Sequence, residues 1–220
     1  MYEAKKIDDC IETMRDICVG NRVPVEFIGF LLEKELKEFG VKVNCSKTAQ
    51  DCCDKETFLG EIPENMLMFN AFYDPDNEQE IELEVVFSKD YIQMTNEIFD
   101  SNKFEISLAV QHEMIHKYQN DMHEIQGWSQ KIGSGRRGYL GDFDEIYARA
   151  HDVYLEWVNQ NLPTSLLGSW NVAMFACPTL FSYMMVWGSN GDEPVLKRLM
   201  KLTYQFVMDG EKNEQTAGNI

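Results

Sequence analysis

Two histidines and a glutamate stand close together in "QHEMIHKYQND", residues 111–121. A helix turns about 100° per residue, so His112 and His116 would lie on one face, one turn apart. Both imidazoles could then reach one metal ion, about 2.0–2.1 Å from each ligating nitrogen. Glu113 follows His112 directly, where its carboxylate could act as general base on a metal-bound water. The H-E-x-x-H spacing therefore predicts a catalytic zinc site.

The sequence around this motif predicts a helix. In "FEISLAVQHEMIHKY", Phe104, Leu108 and Ile115 form part of an apolar stripe beside the histidines. Two of the four histidines in the chain fall within the motif. The alternative is that both histidines are surface residues of a packed helix and bind no metal.

A catalytic zinc needs a third protein ligand and an open fourth position. On a continuous helix, His123 would lie about 10 Å beyond His116 along the axis, too far to share the ion. Glu145, in "GDFDEIYARAHDVYLEW", is the better candidate. Asp142 and Asp144 are weaker ligand candidates, and either suits the N-cap of the helix that follows.

A line of polar residues on this second predicted helix surrounds Glu145. The spacing places Glu145, Arg149, Asp152 and Glu156 on one narrow face. Arg149 or Asp152 would then support the ligands from behind, with Asp152 accepting the outer N–H of a ligand histidine. A solvated helix face is the alternative. His151 points away from Glu145, and we expect it to be structural.

Tyrosines near the predicted site could donate a hydrogen bond to the oxyanion of a peptide under attack. Tyr139 and Tyr147 are the candidates, and the sequence does not choose between them. The glycine-rich stretch 124–143 predicts a flexible connector, where a lid or substrate loop belongs.

The remaining pattern predicts an α+β fold: a small antiparallel sheet with an active-site helix and several packed helices. Residues 66–73 and 80–87 predict a hairpin joined by "DPDN", with Glu82 and Glu84 on a wet face of the second strand. A short strand is expected within 41–62. Helical periodicity falls at about 4–18, 25–39, 104–121, 143–160, 170–187 (interrupted at Pro178) and 193–208.

The length suits one domain over residues 1–210, followed by a flexible tail at 211–220. Within that domain we expect an N-terminal helical part at 1–62, a catalytic core at 63–160 and C-terminal helices at 161–210.

The net charge, the absence of long apolar segments and the cysteine spacing restrict the possible partners and compartment. The net charge of −17 disfavours nucleic-acid binding. No signal-peptide core and no transmembrane run is present, which predicts a cytoplasmic protein with reduced thiols and no membrane partner. Cys45, Cys52 and Cys53 lack the paired C-x-x-C spacing of a structural zinc site.

"HEMIH" on one helix and "DEIYARAHD" on a second resemble the zincin metallopeptidases, and within them the gluzincins, over roughly residues 80–160. The resemblance implies the zinc ligands His112, His116 and Glu145, and the base Glu113. It also implies an edge strand beside the active-site helix that binds substrate backbone, and "EIELEVVFS" is expected to be that strand.

This sequence departs from the gluzincin pattern at one position. Arg149 stands where thermolysin-like gluzincins carry an aspartate, which moves that supporting role to Asp152. The SprT-like proteases, which use three histidines and act on DNA-bound proteins, are a weaker match because His123 is a poor third ligand. The longer metzincin pattern is excluded because Gln119 replaces its glycine.

Three functions follow from these observations. The first is a zinc-dependent peptidase that hydrolyses protein or peptide substrates by glutamate-assisted attack of a zinc-bound water. The second is a catalytically silent zincin-fold subunit of a larger assembly, with oligomer contacts through the C-terminal helices. The third is an acidic inhibitor that mimics nucleic acid and binds a basic protein.

Overall fold

The computed structural model describes residues 2–47, 65–75, 80–126, 135–167, 169–188 and 191–217. The chain mixes helices with small sheets and divides into two compact units, Met1–Asn120 and Asp121–Ile220. The described helices are α1 Tyr2–Glu12, α2 Arg15–Cys18, α3 Val25–Glu35, α4 Asn96–Gln126, α5 Gly135–Leu140, α6 Phe143–Asn159, α7 Trp170–Ala176, α8 Pro178–Trp187 and α9 Pro194–Ala217. The described strands are β1 Arg22–Pro24, β2 Val41–Ser46, β3 Leu67–Tyr73, β4 Ile81–Phe87 and β5 Tyr91–Gln93. The expected three-part organisation of a single domain stays a prediction.

The first unit contains a three-stranded sheet in the order β2–β4–β3. β3 and β4 pair antiparallel, which confirms the predicted hairpin. β2 pairs with β4 in parallel, so the prediction of a purely antiparallel sheet is wrong. After β2 the chain forms β3 at the far side of the sheet and then reverses into β4, which lies between them. Because of this reversal, β4 runs in the same direction as β2.

β4 is the central strand of this sheet and not an edge strand, so the expectation from the gluzincin resemblance is wrong on this point. Having a neighbour on both sides, β4 is more buried than its alternating sequence suggests. Glu84, predicted to face water, is only 7% exposed and accepts a hydrogen bond from Ser46 Oγ at 2.8 Å. β3 forms one edge of the sheet.

Packing of the N-terminal helices against the sheet forms the core of the first unit. The buried residues of this core include Ile7, Ile11, Leu32, Leu36, Ile81, Leu83, Phe99 and Val110. α3 ends at Glu35, four residues before its predicted end. One turn of 3₁₀ helix at Lys37–Phe39 then leads to Gly40, whose φ of 72° is the left-handed conformation that glycine adopts most easily. The gap in helical periodicity between residues 18 and 25 contains β1, which pairs with β5.

The second unit is helical and has its own core. Its buried residues include Ile146, Val153, Trp157, Ala173, Leu180, Tyr183, Leu196 and Leu199. Pro178 separates α7 from α8 as predicted, because proline at the first helical position has no N–H to lose. α9 continues to Ala217, well beyond its predicted end, so most of the expected tail is helical.

The C-terminal helices supply much of this second core and also expose large apolar side chains. Phe175 is 83% exposed and Met185 is 71% exposed. Oligomer contacts through these helices stay a prediction. Within the described part of the chain, no helix combines the length and apolar character needed to cross a membrane.

We predict that Gly29→Ala destabilises the first unit. A methyl group at this position of α3 would collide with Cys45 Sγ of β2, and relieving such a collision in a packed interior typically costs about 1–3 kcal/mol. Urea unfolding of the variant measures the loss. In a Cys45→Ala background the same substitution should cost less, and an equal cost in both backgrounds would contradict the close approach.

Candidate metal centre

α4 presents the two histidines of the H-E-x-x-H motif to the same point. His112 Nε2 and His116 Nε2 are 3.1 Å apart, and the two rings meet edge to face. Two nitrogens bound to one tetrahedral zinc at ordinary bond lengths would be about 3.4 Å apart. The helix therefore holds both ring nitrogens close to the separation that a shared ion requires.

Gln119 sets the orientation of the second imidazole. Its Oε1 lies 3.0 Å from His116 Nδ1. An amide oxygen only accepts, so this contact places the proton on Nδ1 and leaves the Nε2 lone pair for a metal. The sequence interpretation used Gln119 only to exclude the metzincins, although its position three residues after His116 on one helix face signals the contact.

Glu113 is held by the backbone of the sheet. Its Oε2 accepts a hydrogen bond of 3.0 Å from the main-chain N–H of Tyr73, the last residue of β3. The Tyr73 hydroxyl accepts a second bond from Asn120 Nδ2 on the same helix, at 3.3 Å. An N–H donated to a carboxylate is a charge-assisted bond and fixes its orientation.

Glu145 lies in the first turn of α6, where Asp142 caps the helix by accepting the N–H of Asp144 at 2.9 Å. Arg149 Nε donates to Glu145 Oε1 at 2.7 Å, and Arg149 Nη1 donates to Asp152 Oδ2 at 3.3 Å. The Glu145 and Asp152 side chains are 3% and 2% exposed, whereas Arg149 is 32% exposed.

Arg149 thus neutralises two buried carboxylates at once. Burial opposes its charge, but Asp152 and Glu145 outweigh that effect and raise the pKa of Arg149. The helical face predicted from the sequence is therefore buried and ion-paired, not solvated. The expected contact of Asp152 with a ligand histidine stays a prediction, since the partner that the structure shows for Asp152 is Arg149.

The three predicted ligands form one group. His112, His116 and Glu145 each offer one ligand atom, and these atoms lie within 4.8 Å of one another. In the described part of the chain this is the one such group of at least three histidine, cysteine or acidic residues. These three residues could hold a metal ion.

The predicted oxyanion donors lie in different surroundings. Tyr139 on α5 is 43% exposed. Tyr147 packs edge to face against Phe206 of α9, with ring centres 5.2 Å apart. The structure thus gives Tyr147 a packing contact, while Tyr139 lies on α5, the helix that precedes the Glu145–Arg149 pair of α6.

Tyr183 on α8 is a neighbour of this pair that the sequence interpretation missed. It is 1% exposed, stacks on Trp187, and its hydroxyl has no hydrogen-bond partner within the described residues. Burial raises its pKa, and the Glu145 carboxylate adds to that effect. No local signal predicts this neighbour, because Tyr183 follows Glu145 by 38 positions in the sequence.

Of the other ligand candidates, those that the structure describes fall outside this group. α4 continues through His123 without a break, as the spacing argument requires. His151 is buried against Tyr154 and Phe206, the structural setting that we expected. Cys52, Cys53 and residues 127–134 of the expected connector lie outside the described residues, whereas its later part forms helix α5.

Glu156 is the last residue of the acidic line on α6, and its carboxylate caps the first turn of α8. Its carboxylate accepts hydrogen bonds from the Thr179 N–H at 3.1 Å and the Thr179 hydroxyl at 2.8 Å. Glu156 is 5% exposed, and this burial raises its pKa to about 7, despite the opposing hydrogen bonds from Thr179.

We predict a pH-dependent contribution of Glu156 to stability. Its folded pKa of about 7 lies above the ordinary value of 4.5, so folding favours the protonated form. The contribution is fully present below pH 4.5 and is lost as the pH rises through 7. In denaturant unfolding at a series of pH values, Glu156→Gln should remove up to about 3 kcal/mol of this dependence. The exposed Glu193→Gln is the matched control, and identical profiles for the two variants would contradict the assignment.

We also predict that Arg149→Met destabilises the metal-free chain by about 3 kcal/mol, because it leaves two buried carboxylates without their cation. Arg136→Met removes the same charge from an exposed position of α5. The free energies of unfolding of both variants are measured by chemical denaturation and compared with that of wild type. Equal losses in the two would show that the Glu145–Arg149–Asp152 pairing does not stabilise the fold.

No protein-family model, curated protein or solved structure matches the chain. The resemblance to the gluzincins therefore stays a prediction that depends on the residues of α4 and α6 themselves.

Proposed function

We propose that this chain is a zinc-dependent peptidase of the zincin type, in which His112, His116 and Glu145 hold the metal and Glu113 is the general base. The observation that carries the proposal is the convergence of these three ligand atoms within 4.8 Å, with Glu113 next to the first histidine. Surface histidines on an ordinary helix would not be expected to converge with a buried glutamate.

The donor set fits zinc. Two imidazole nitrogens and one carboxylate oxygen are a common set for catalytic zinc, and they leave a fourth position open. Gln119 holds His116 in the tautomer that a ligand needs. Arg149 engages Oε1 of Glu145, so the second oxygen of that carboxylate would be the ligand.

When bound, zinc would lower the pKa of a water molecule at the open position and polarise the peptide carbonyl. Glu113 would take a proton from the attacking water as the new C–O bond forms, and would then pass it to the amine nitrogen as the peptide C–N bond breaks. Tyr139, which is exposed on α5, is the better of the two proposed oxyanion donors, because Tyr147 packs against Phe206.

The edge of β3 offers a binding surface for an extended peptide. Among the described strands, β3 pairs with β4 alone, and its last residue contacts Glu113. A substrate strand added along this edge would be hydrogen-bonded through its backbone and led to the base. β3 replaces β4 as the proposed substrate strand.

Zinc content and activity of three variants test the proposal. Wild type should hold about one zinc per chain and cleave members of a quenched fluorescent peptide library. Glu113→Gln should keep the zinc but lose at least about 100-fold in cleavage rate, because the proton acceptor is gone. Glu145→Ala should lose the zinc, as measured by plasma mass spectrometry.

Asp144→Ala is the matched control for the third ligand, since it removes the neighbouring buried acid and should keep the zinc. Zinc retained in Glu145→Ala would move the third ligand elsewhere. Zinc bound without any cleavage would favour a catalytically silent subunit, and a chain that binds no zinc would rule out the metal site.

A further inference from the structure

The orientation of the β3 backbone follows from two separate contacts. The N–H of Ile81 in β4 donates to the Gly40 carbonyl, on the β2 side of the sheet. Residues of β4 alternate in direction, so Glu82 and Glu84 direct their backbone groups toward β3. Their opposite residues in β3, Phe72 and Asn70, complete that ladder.

The odd-numbered residues of β3 therefore direct their N–H and C=O groups away from β4. Tyr73 belongs to this outward set, as its bond to Glu113 independently shows. Ala71 also belongs to it, and its N–H has no hydrogen-bond partner within the described residues. The N–H that holds Glu113 is thus one that the sheet itself does not use.

The geometry points to Tyr73 as a positioning residue for the general base, acting through its main-chain N–H. This inference rests on the role proposed for Glu113. A side chain on α4 retains rotamer freedom, and only a fixed donor can hold its carboxylate in one orientation. The bond from Tyr73 to Oε2 would thus fix the plane of the Glu113 carboxylate.

The Tyr73 hydroxyl strengthens the arrangement by pinning the strand end to the same helix. Asn120 donates to this hydroxyl at 3.3 Å, seven residues after Glu113 on α4. The end of β3 is therefore attached to α4 at two points, two turns apart. A shift of the strand end along the helix would break both bonds together.

A proline substitution can test the role of the Tyr73 main-chain N–H separately from that of its side chain. Tyr73→Pro removes the donor without removing a β3–β4 ladder bond, because outward N–H positions of edge strands tolerate proline. Tyr73→Ala removes the same side chain but keeps the N–H. Ala71→Pro places a proline at an equivalent outward position of the strand and leaves the Glu113 bond in place.

The variants are compared with zinc added and acetohydroxamate as the probe. Acetohydroxamate chelates zinc through two oxygens, and a carboxylate beside the metal hydrogen-bonds to it, so its affinity reports where Glu113 lies. Relative to Tyr73→Ala, we expect Tyr73→Pro to bind it about tenfold more weakly, with unchanged zinc content. Ala71→Pro should match wild type.

Equal affinities in Tyr73→Pro and Tyr73→Ala would overturn the positioning role while leaving the proposed function intact. If wild type binds no zinc, or Glu113→Gln binds the probe as tightly as wild type, then the proposed function fails and this inference fails with it. Zinc content and the Glu113→Gln comparison separate these outcomes.

A second measurement applies even if the proline variant does not fold. In the metal-free chain labelled with ¹⁵N-tyrosine, the Tyr73 amide is identified as the signal missing in Tyr73→Phe. Its proton should move upfield in Glu113→Ala, more than that of any other of the nine tyrosines, because a charged acceptor has been lost. An unmoved Tyr73 signal would overturn the inference.

Discussion

Three buried carboxylates along one helix are the constraint on which the candidate site depends. Glu145, Asp152 and Glu156 follow one face of α6 at 2%, 1% and 5% exposure. Removing an ionised carboxylate from water costs several kcal/mol unless partners compensate. Arg149 compensates the first two, and Thr179 at the start of α8 compensates the third. Buried ionisable groups of this kind cluster at functional sites.

The helical period accounts for the positions of the two histidines among the candidate ligands. His112 and His116 need only the 3.6-residue turn of α4 to bring their Nε2 atoms within 3.1 Å of each other. Gln119 and Glu113 also lie on α4, and Gln119 accepts a hydrogen bond from His116 of the same helix. Glu113 is oriented by the backbone of β3. The motif alone thus places the candidate ligand atoms, whereas the orientation of the proposed base comes from the sheet.

The sequence predicted those parts of the structure that local periodicity determines. The H-E-x-x-H helix, the acidic line on α6, the β3–β4 hairpin and the break at Pro178 all follow from spacings of a few residues. Contacts between distant segments have no such signal, and for this reason Tyr73 and Tyr183 were missed. The parallel pairing of β2 with β4 was missed for the same reason, and with it the burial of Glu84. β1 was not predicted, because three residues are too few to show the alternation of apolar and polar side chains that marks a strand.

The alternating direction of the β3 backbone has a consequence for how this chain can vary through evolution. Inserting a residue between Asn70 and Tyr73, or deleting one, would bring a different residue to the position opposite Ile81. Pairing with β4 fixes the direction of the backbone groups at each position, so the new residue would still direct its N–H toward Glu113. Tyr73 itself would move one position along the strand, and its hydroxyl would leave Asn120. Length changes in this part of β3 are therefore compatible with the backbone anchor of the proposed base, but they remove the second attachment of the strand to α4.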